Sequence, residues 1–160
     1  MSKAFTRESD ESGDDEIPTT RPSLPPGTTN YITPQGAERL TQRLDNLLET
    51  RRQSSDAANS DVRKLDATIR ALQQTLSSVV VAHPSPNPDK VAFGTTVRIR
   101  QQNGEEETYR IVGVEEADPE NGSISWLSPL ARVLLSRKVG DKITFRTPAD
   151  LDELTVVRLK

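Results

Sequence analysis

The sequence predicts an α+β protein: an antiparallel helical hairpin followed by a small antiparallel β domain with one short helix. Three observations lead there. Two apolar runs repeat at heptad spacing in the first half of the chain. Alternating segments separated by turn residues fill the second half. Between them lie Pro84, Pro86 and Pro88, and neither a helix nor a central strand crosses so many missing amide donors.

Residues 1–30 read as a disordered acidic tail. They carry Glu8, Asp10, Glu11, Asp14, Asp15 and Glu16 against Lys3, Arg7 and Arg21, with Phe5, Ile17 and Leu24 as the main apolar side chains. That is too little apolar surface to offset the entropy of ordering. The tail ends in a linker of Pro22, Pro25, Pro26 and Gly27.

The hairpin is expected over 31–82. Thr33 is placed to cap a helix that Pro34 opens, where a missing N–H costs nothing. Ala37, Leu40, Leu44 and Leu47 form the first seam; Val62, Leu65, Ile69, Leu72, Leu76 and Val79 form the second. Antiparallel pairing of Leu47 with Leu65, Leu44 with Ile69, Leu40 with Leu72 and Ala37 with Leu76 puts the axis near residue 56 and the turn at 54–58. The next layer would set Arg51 against Val62, so the apolar seam is expected to stop short of the tip.

Residues 83–90 are the proline-rich linker and 91–160 the β domain. Strands are expected over 91–100, 107–114, 122–127, 142–146 and 153–159, separated by turn signals at Asn103-Gly104, at Asp118 to Gly122 and at Pro148. The helix is expected over 129–136, with Ser128 as cap and Pro129 in the first position.

Composition excludes several function classes. The chain has 21 Lys and Arg against 24 Asp and Glu, a net charge of −3. The tail accounts for that excess, so the remainder is formally neutral and direct nucleic-acid contact is expected to be weak or absent. Arg98, Arg100, Arg110, Lys138 and Lys142 suggest a basic face, but Glu105, Glu106, Glu107, Glu115 and Glu116 lie close in sequence, so it reads as solvated surface. There is no cysteine, and the single histidine, His83, lies in the proline linker without a partner for catalysis or metal binding. No phosphate-binding glycine pattern occurs; Gly94 reads as structural. No run approaches the ~18 apolar residues of a membrane span, and no signal core opens the chain, so a cytoplasmic location is expected.

Residues 123–141, S-I-S-W-L-S-P-L-A-R-V-L-L-S-R-K-V-G-D, resemble the S-P-[LIM]-[AG]-[RK]-A-L-[LI]-x-[KR]-x-V-G-D stretch of the Gre transcript-cleavage factors, GreA and GreB. V-A-F-G-T-T-V, Y-R-I-V-G and K-V-G-D-K-I extend the likeness, while M-S-K-A-F-T-R-E and N-Y-I-T-P-Q-G are similar to GreB-type openings. The resemblance implies an FKBP-like C-terminal domain and a monomeric transcription elongation factor that binds bacterial RNA polymerase at its secondary channel. It implies docking on the channel rim through the positions matching Leu127, Ser128, Pro129, Leu130 and Ala131. It implies no cofactor of the protein's own: in the family, a D-x-x-E pair at the hairpin tip acts on Mg²⁺ held by the polymerase.

This chain departs from the family at the tip. Aligning Asn59 with the family asparagine puts Ser55 and Ala58 at the two acidic positions. Asp56 lies one residue out of register and Asp61 at a later acidic position; these are the remaining candidate tip carboxylates. The segment from Thr33 to Val91 is about 20 residues shorter than in the family, about 15 Å of reach at 1.5 Å per residue in each arm. Weak or absent cleavage stimulation is therefore expected of an accessory factor that is not itself an enzyme. The alternative is a non-cleaving regulator competing for the channel, as Rnk-like and anti-Gre paralogues do. Outside the family, an FKBP-type prolyl isomerase needs an aromatic-lined pocket, and only Phe93, Tyr109, Trp126 and Phe145 are available in this domain. Trp126 is expected in the core, because its strand neighbour Leu127 faces the other way.

Overall fold

A computed structural model describes residues 24–54, 59–146 and 151–160. Most of the expected tail, and residues 55–58 of the expected turn with Asp56 among them, lie outside the described residues.

Two helices, α1 (Pro34–Gln53) and α2 (Ser60–Ser78), form the hairpin. Thr33 is extended, and its side chain accepts the Gly36 amide at 3.1 Å, so α1 starts as its sequence requires. The facing ends Gln53 and Ser60, and the outer ends Pro34 and Ser78, are both centred on residues 56–57, as a hairpin about that axis demands. Val62, Ile69 and Leu72 are buried, and Leu40, Leu44 and Leu47 are half-buried. Val62 is only 6% exposed, so the apolar seam runs one layer nearer the tip than expected. Arg51 is half-buried there, and its guanidinium reaches Asp66 on the other arm at 2.7 Å.

Two short strands were not legible in the sequence. β1 (Asn30–Ile32) leads into α1, and β2 (Val79–Val81) leaves α2; they pair in parallel, Ile32 opposite Val81. Val79 is therefore not the last seam position. Three consecutive β-branched residues lose side-chain freedom in a helix and pack well as a strand, and β1 supplies the partner.

The β domain is a five-stranded sheet. Its strands are β3 (Thr96–Gln101), β4 (Glu106–Val112), β5 (Ser123–Ser125), β6 (Lys142–Arg146) and β7 (Leu151–Leu159), in the order β5-β4-β3-β7-β6. β4 and β5 run parallel and the other neighbours antiparallel, with a bulge opposite Arg98 and Ile99. β3 starts later than expected, because Gly94 adopts φ +82 and the Thr95 amide turns back to the Ala92 carbonyl at 3.1 Å. A side chain at Gly94 would also meet Pro84 of the linker at 2.7 Å.

Helix α3 (Pro129–Leu134) covers the inner face of the sheet. Ala131 and Leu134 pack with Val97, Ile99, Ile111, Ile143, Leu154 and Val156. α3 ends two residues earlier than expected, with Ser136 at φ +68 and its amide donating to the Val91 carbonyl at 2.8 Å. The result is the mixed α+β architecture expected, helices first and the sheet after.

Candidate functional site

Three regions hold the residues singled out by the sequence: the hairpin tip, the Ser-Pro corner ahead of α3, and the joint where the hairpin meets the β domain.

At the tip, Asn59 caps α2: it is extended, and its side chain accepts the Asp61 amide at 3.0 Å. This gives the asparagine a structural role, signalled by its place just ahead of Ser60-Asp61. Asp61 is exposed in the first turn of α2, where the helix dipole favours a carboxylate. Asp56 lies outside the described residues.

The Ser-Pro corner is well ordered by its own hydrogen bonds. The Ser128 side chain accepts the Ala131 amide at 3.2 Å, and the Ser128 amide donates to the Ser125 carbonyl at 2.9 Å. Pro129 is exposed and Leu127 half-buried, so both have surface to offer. Leu130 packs against the core, and Ala131 is 0% exposed. The expectation of direct docking through Ala131 is therefore corrected: Ala131 lies on the buried side of α3 and leaves nothing for a partner to touch. Its part is to seat α3 close to the sheet.

The joint was not expected. Glu116, in a 3-10 turn spanning Val114–Glu116, accepts the Thr33 amide at 2.8 Å and the Gly113 amide at 3.2 Å, and accepts the Thr33 hydroxyl as well. One carboxylate thus ties the N-cap of α1 to the end of β4. Arg110 of β4 donates to the Gln35 side chain. Gly36 and Gly113 permit this approach. A side chain at Gly36 would lie 2.1 Å from the Glu116 carboxyl carbon, and one at Gly113 would lie 2.1 Å from the Tyr31 carbonyl oxygen. Among the described residues, the hydrogen bonds joining hairpin and domain lie at this base.

Tyr31 completes the joint. Its ring lies 5.6 Å from that of Trp126, edge-on, and 5.9 Å from that of Phe93. Trp126 is packed against the core as expected. The aromatic surface that a peptide-binding pocket would need is occupied by the hairpin's own tyrosine. Tyr31, the middle residue of β1, carries no local signal for this contact; only the fold brings residues 31, 93 and 126 together.

Catalytic chemistry finds little support. Beside the joint lies a polar cleft of about 570 Å³, lined by Arg39, Glu115, Asp118, Asn121 and Ser123 among others; no hydrogen bond among the described residues joins the Ser123 hydroxyl to a carboxylate there. Tyr109 is the one clearly displaced titrating group among the described residues. Burial, then its 2.9 Å hydrogen bond to Glu107 and that carboxylate's charge, push it up to about 12. The phenol therefore stays protonated at neutral pH and is no general base.

A family model described as the C-terminal domain of transcription elongation factor GreA/GreB matches residues 85–160. Transcription elongation factor GreB of Neisseria meningitidis serogroup B is 33% identical, and the match covers 83% of this chain and 94% of that protein. The chain belongs to the GreA/GreB family. Transcription elongation factor GreA of Geobacillus kaustophilus is 34% identical, with 81% of this chain and 95% of that protein covered. The crystal structure of GreA factor homolog 1 of Thermus thermophilus is 25% identical, covers 83% of this chain and 99% of its own, and has a TM-score of 0.41. The GreB match spans 154 positions, whereas 83% of the 160 residues here is about 133; about 21 positions of that relative have no counterpart in this family member.

Proposed function

We propose that this GreA/GreB-family protein binds bacterial RNA polymerase at its secondary-channel rim and occupies the channel entrance with little or no stimulation of transcript cleavage. The observation that supports binding most strongly is the near-complete coverage of a GreB relative at 33% identity. The exposed Pro129 and half-buried Leu127, held by the Ser128 cap, are the contact surface, with Leu130 and Ala131 supporting them from below. The protein acts as a cytoplasmic monomer, an accessory factor with no metal of its own.

Loss of cleavage follows from the tip. Ser55 and Ala58 stand where the family carries two acids, and Mg²⁺ on the polymerase gains little from the exposed Asp61 or the out-of-register Asp56. On this reading the positions without a counterpart fall in the two helical arms, about ten in each, a loss of about 15 Å of reach at 1.5 Å per residue. The prolyl isomerase reading is weakened by Tyr31, which lies against Trp126 and Phe93.

Pull-down with core RNA polymerase tests the first part. Binding is expected, and Pro129→Ala should weaken it by about tenfold, equivalent to about 1.4 kcal/mol. Unchanged affinity in a folded Pro129→Ala variant removes the corner from the interface. A backtracked transcription complex tests the second part: competition with an active cleavage factor, without cleavage, is the expected result. Rapid cleavage lost in Asp56→Asn or Asp61→Asn would return the protein to the active class.

A further inference from the structure

The outer face of the sheet gathers charges that the sequence scatters. On β3, Thr96, Arg98 and Arg100 alternate with the inward Val97 and Ile99, and the register sets Arg110 and Thr108 of β4 beside Thr96 and Arg98. On the other side, Arg158 of β7 is the direct cross-strand partner of Arg98, and Lys142 of β6 pairs with Thr155. Of the basic residues noted in the sequence, only Lys138 lies off these strands. The acids thought to neutralise them are mostly elsewhere: Glu105 precedes β4, Glu107 is in inward register with Ile99, and Glu115 and Glu116 belong to the 3-10 turn.

Two acidic side chains remain on this face. Glu106 is shared by Arg100 at 2.7 Å and Arg98 at 3.8 Å, and Glu153 pairs with Lys142 at 3.2 Å. Arg158 has no ion pair among the described residues. Like charges directly opposite on neighbouring strands destabilise a sheet, and Arg98 against Arg158 is such a pair. Thr96, Thr108 and Lys160 complete a notch of about 200 Å³ around the two guanidiniums. The arrangement fits a carboxylate or another oxyanion, because arginine forks and threonine hydroxyls donate where such a group accepts.

We propose that this face, centred on Arg98 and Arg158, is the docking site of the chain's own acidic run, residues 8–16. That run holds six acids in nine residues. The tether reaches: Arg110, on the same face, bonds Gln35 in the first turn of α1, close to where residues 1–29 enter the fold at β1. The described chain begins at Leu24 and turns at Pro25–Thr28, where the Thr28 amide donates to the Pro25 carbonyl at 3.1 Å, so the free tether is the eight residues from 17 to 24, which span up to about 27 Å extended. Magnitude favours this occupant over a free nucleic acid. A handful of partly paired cations on a formally neutral fold gives weak binding to phosphates. A tethered segment meets the same face at an effective concentration of the order of millimolar.

The full chain has no cysteine, so Ser12→Cys places a single spin label in the acidic run. At low salt, amide signals of Thr96, Arg98, Thr108 and Arg158 are expected to fall to about half or less of their diamagnetic intensity. They should recover in about 0.5 M salt, and also in the Arg98→Gln/Arg158→Gln variant with unchanged amide dispersion elsewhere. Uniform or salt-insensitive broadening would overturn the proposal. So would loss of the effect only in variants with collapsed dispersion, if Glu8, Asp10, Glu11, Asp14, Asp15 and Glu16 replaced by their amides leave the broadening intact. A single-stranded oligonucleotide that shifts these amides while the labelled run leaves them untouched would assign the face to nucleic acid instead.

Discussion

At its base the hairpin is held to the β domain by a partly buried network, whereas at the described edge of its tip the bonds stay within the hairpin itself. Glu116 gathers three donors from Thr33 and Gly113, two glycines make room for it, and Tyr31 lies against Trp126 and Phe93. At the other end, Asn59 caps only its own helix, Asp61 is exposed, and the Arg51–Asp66 pair joins one arm to the other. The difference teaches that direction and chemistry are separate assignments. The base aims the hairpin through contacts with the β domain, whereas Asp61 near the tip bonds to neither the domain nor the other arm through its side chain among the described residues.

The largest effect is expected where backbone meets backbone. Gly113→Ala should destabilise by about 3 kcal/mol, since its new Cβ would lie 2.1 Å from the Tyr31 carbonyl oxygen and neither group is a free side chain. Denaturant unfolding measures it, and a shift below about 1 kcal/mol would show that the joint is softer than its geometry.

Glu116→Ala comes next, at about 2 kcal/mol, because it strands the Thr33 and Gly113 amides in a partly buried place. Amide exchange should quicken at β1 and the start of α1 while α2 near Ile69 keeps its protection. Equal quickening along the whole hairpin would break the distinction between base and tip.

Towards the tip, Arg51→Ala should cost about 1 kcal/mol, part ion pair and part lost cover from its stem, and only the ionic part should fade in salt. Asp61→Asn should be the smallest, within about 0.5 kcal/mol, the scale of a surface carboxylate in a first helical turn. A thermal shift as large as that of Glu116→Ala would mean that the tip carries structure as well.

Much of this was legible in the sequence, and the reason is periodicity. Heptad spacing located both helices, Thr33-Pro34 and Ser128-Pro129 marked helix starts through local capping, and alternation placed five strands, Lys142–Arg146 to the residue. All these signals act over a few residues of chain. The errors arose where a distant partner decided. Val79 fits a heptad until β1 offers it a strand to pair with, and Ala131 looks available until α3 lies on the sheet. Basic residues noted along the sequence become one face only through strand register, which also sends Glu107 to the inner side. Glu116 and Gly113 read as ordinary loop residues, yet they meet Thr33 and Tyr31 more than 80 positions away. The sequence by itself determined the elements and their order. Tertiary structure alone decided the joint and the charged face, because both are made of contacts between residues that local spacing cannot bring together.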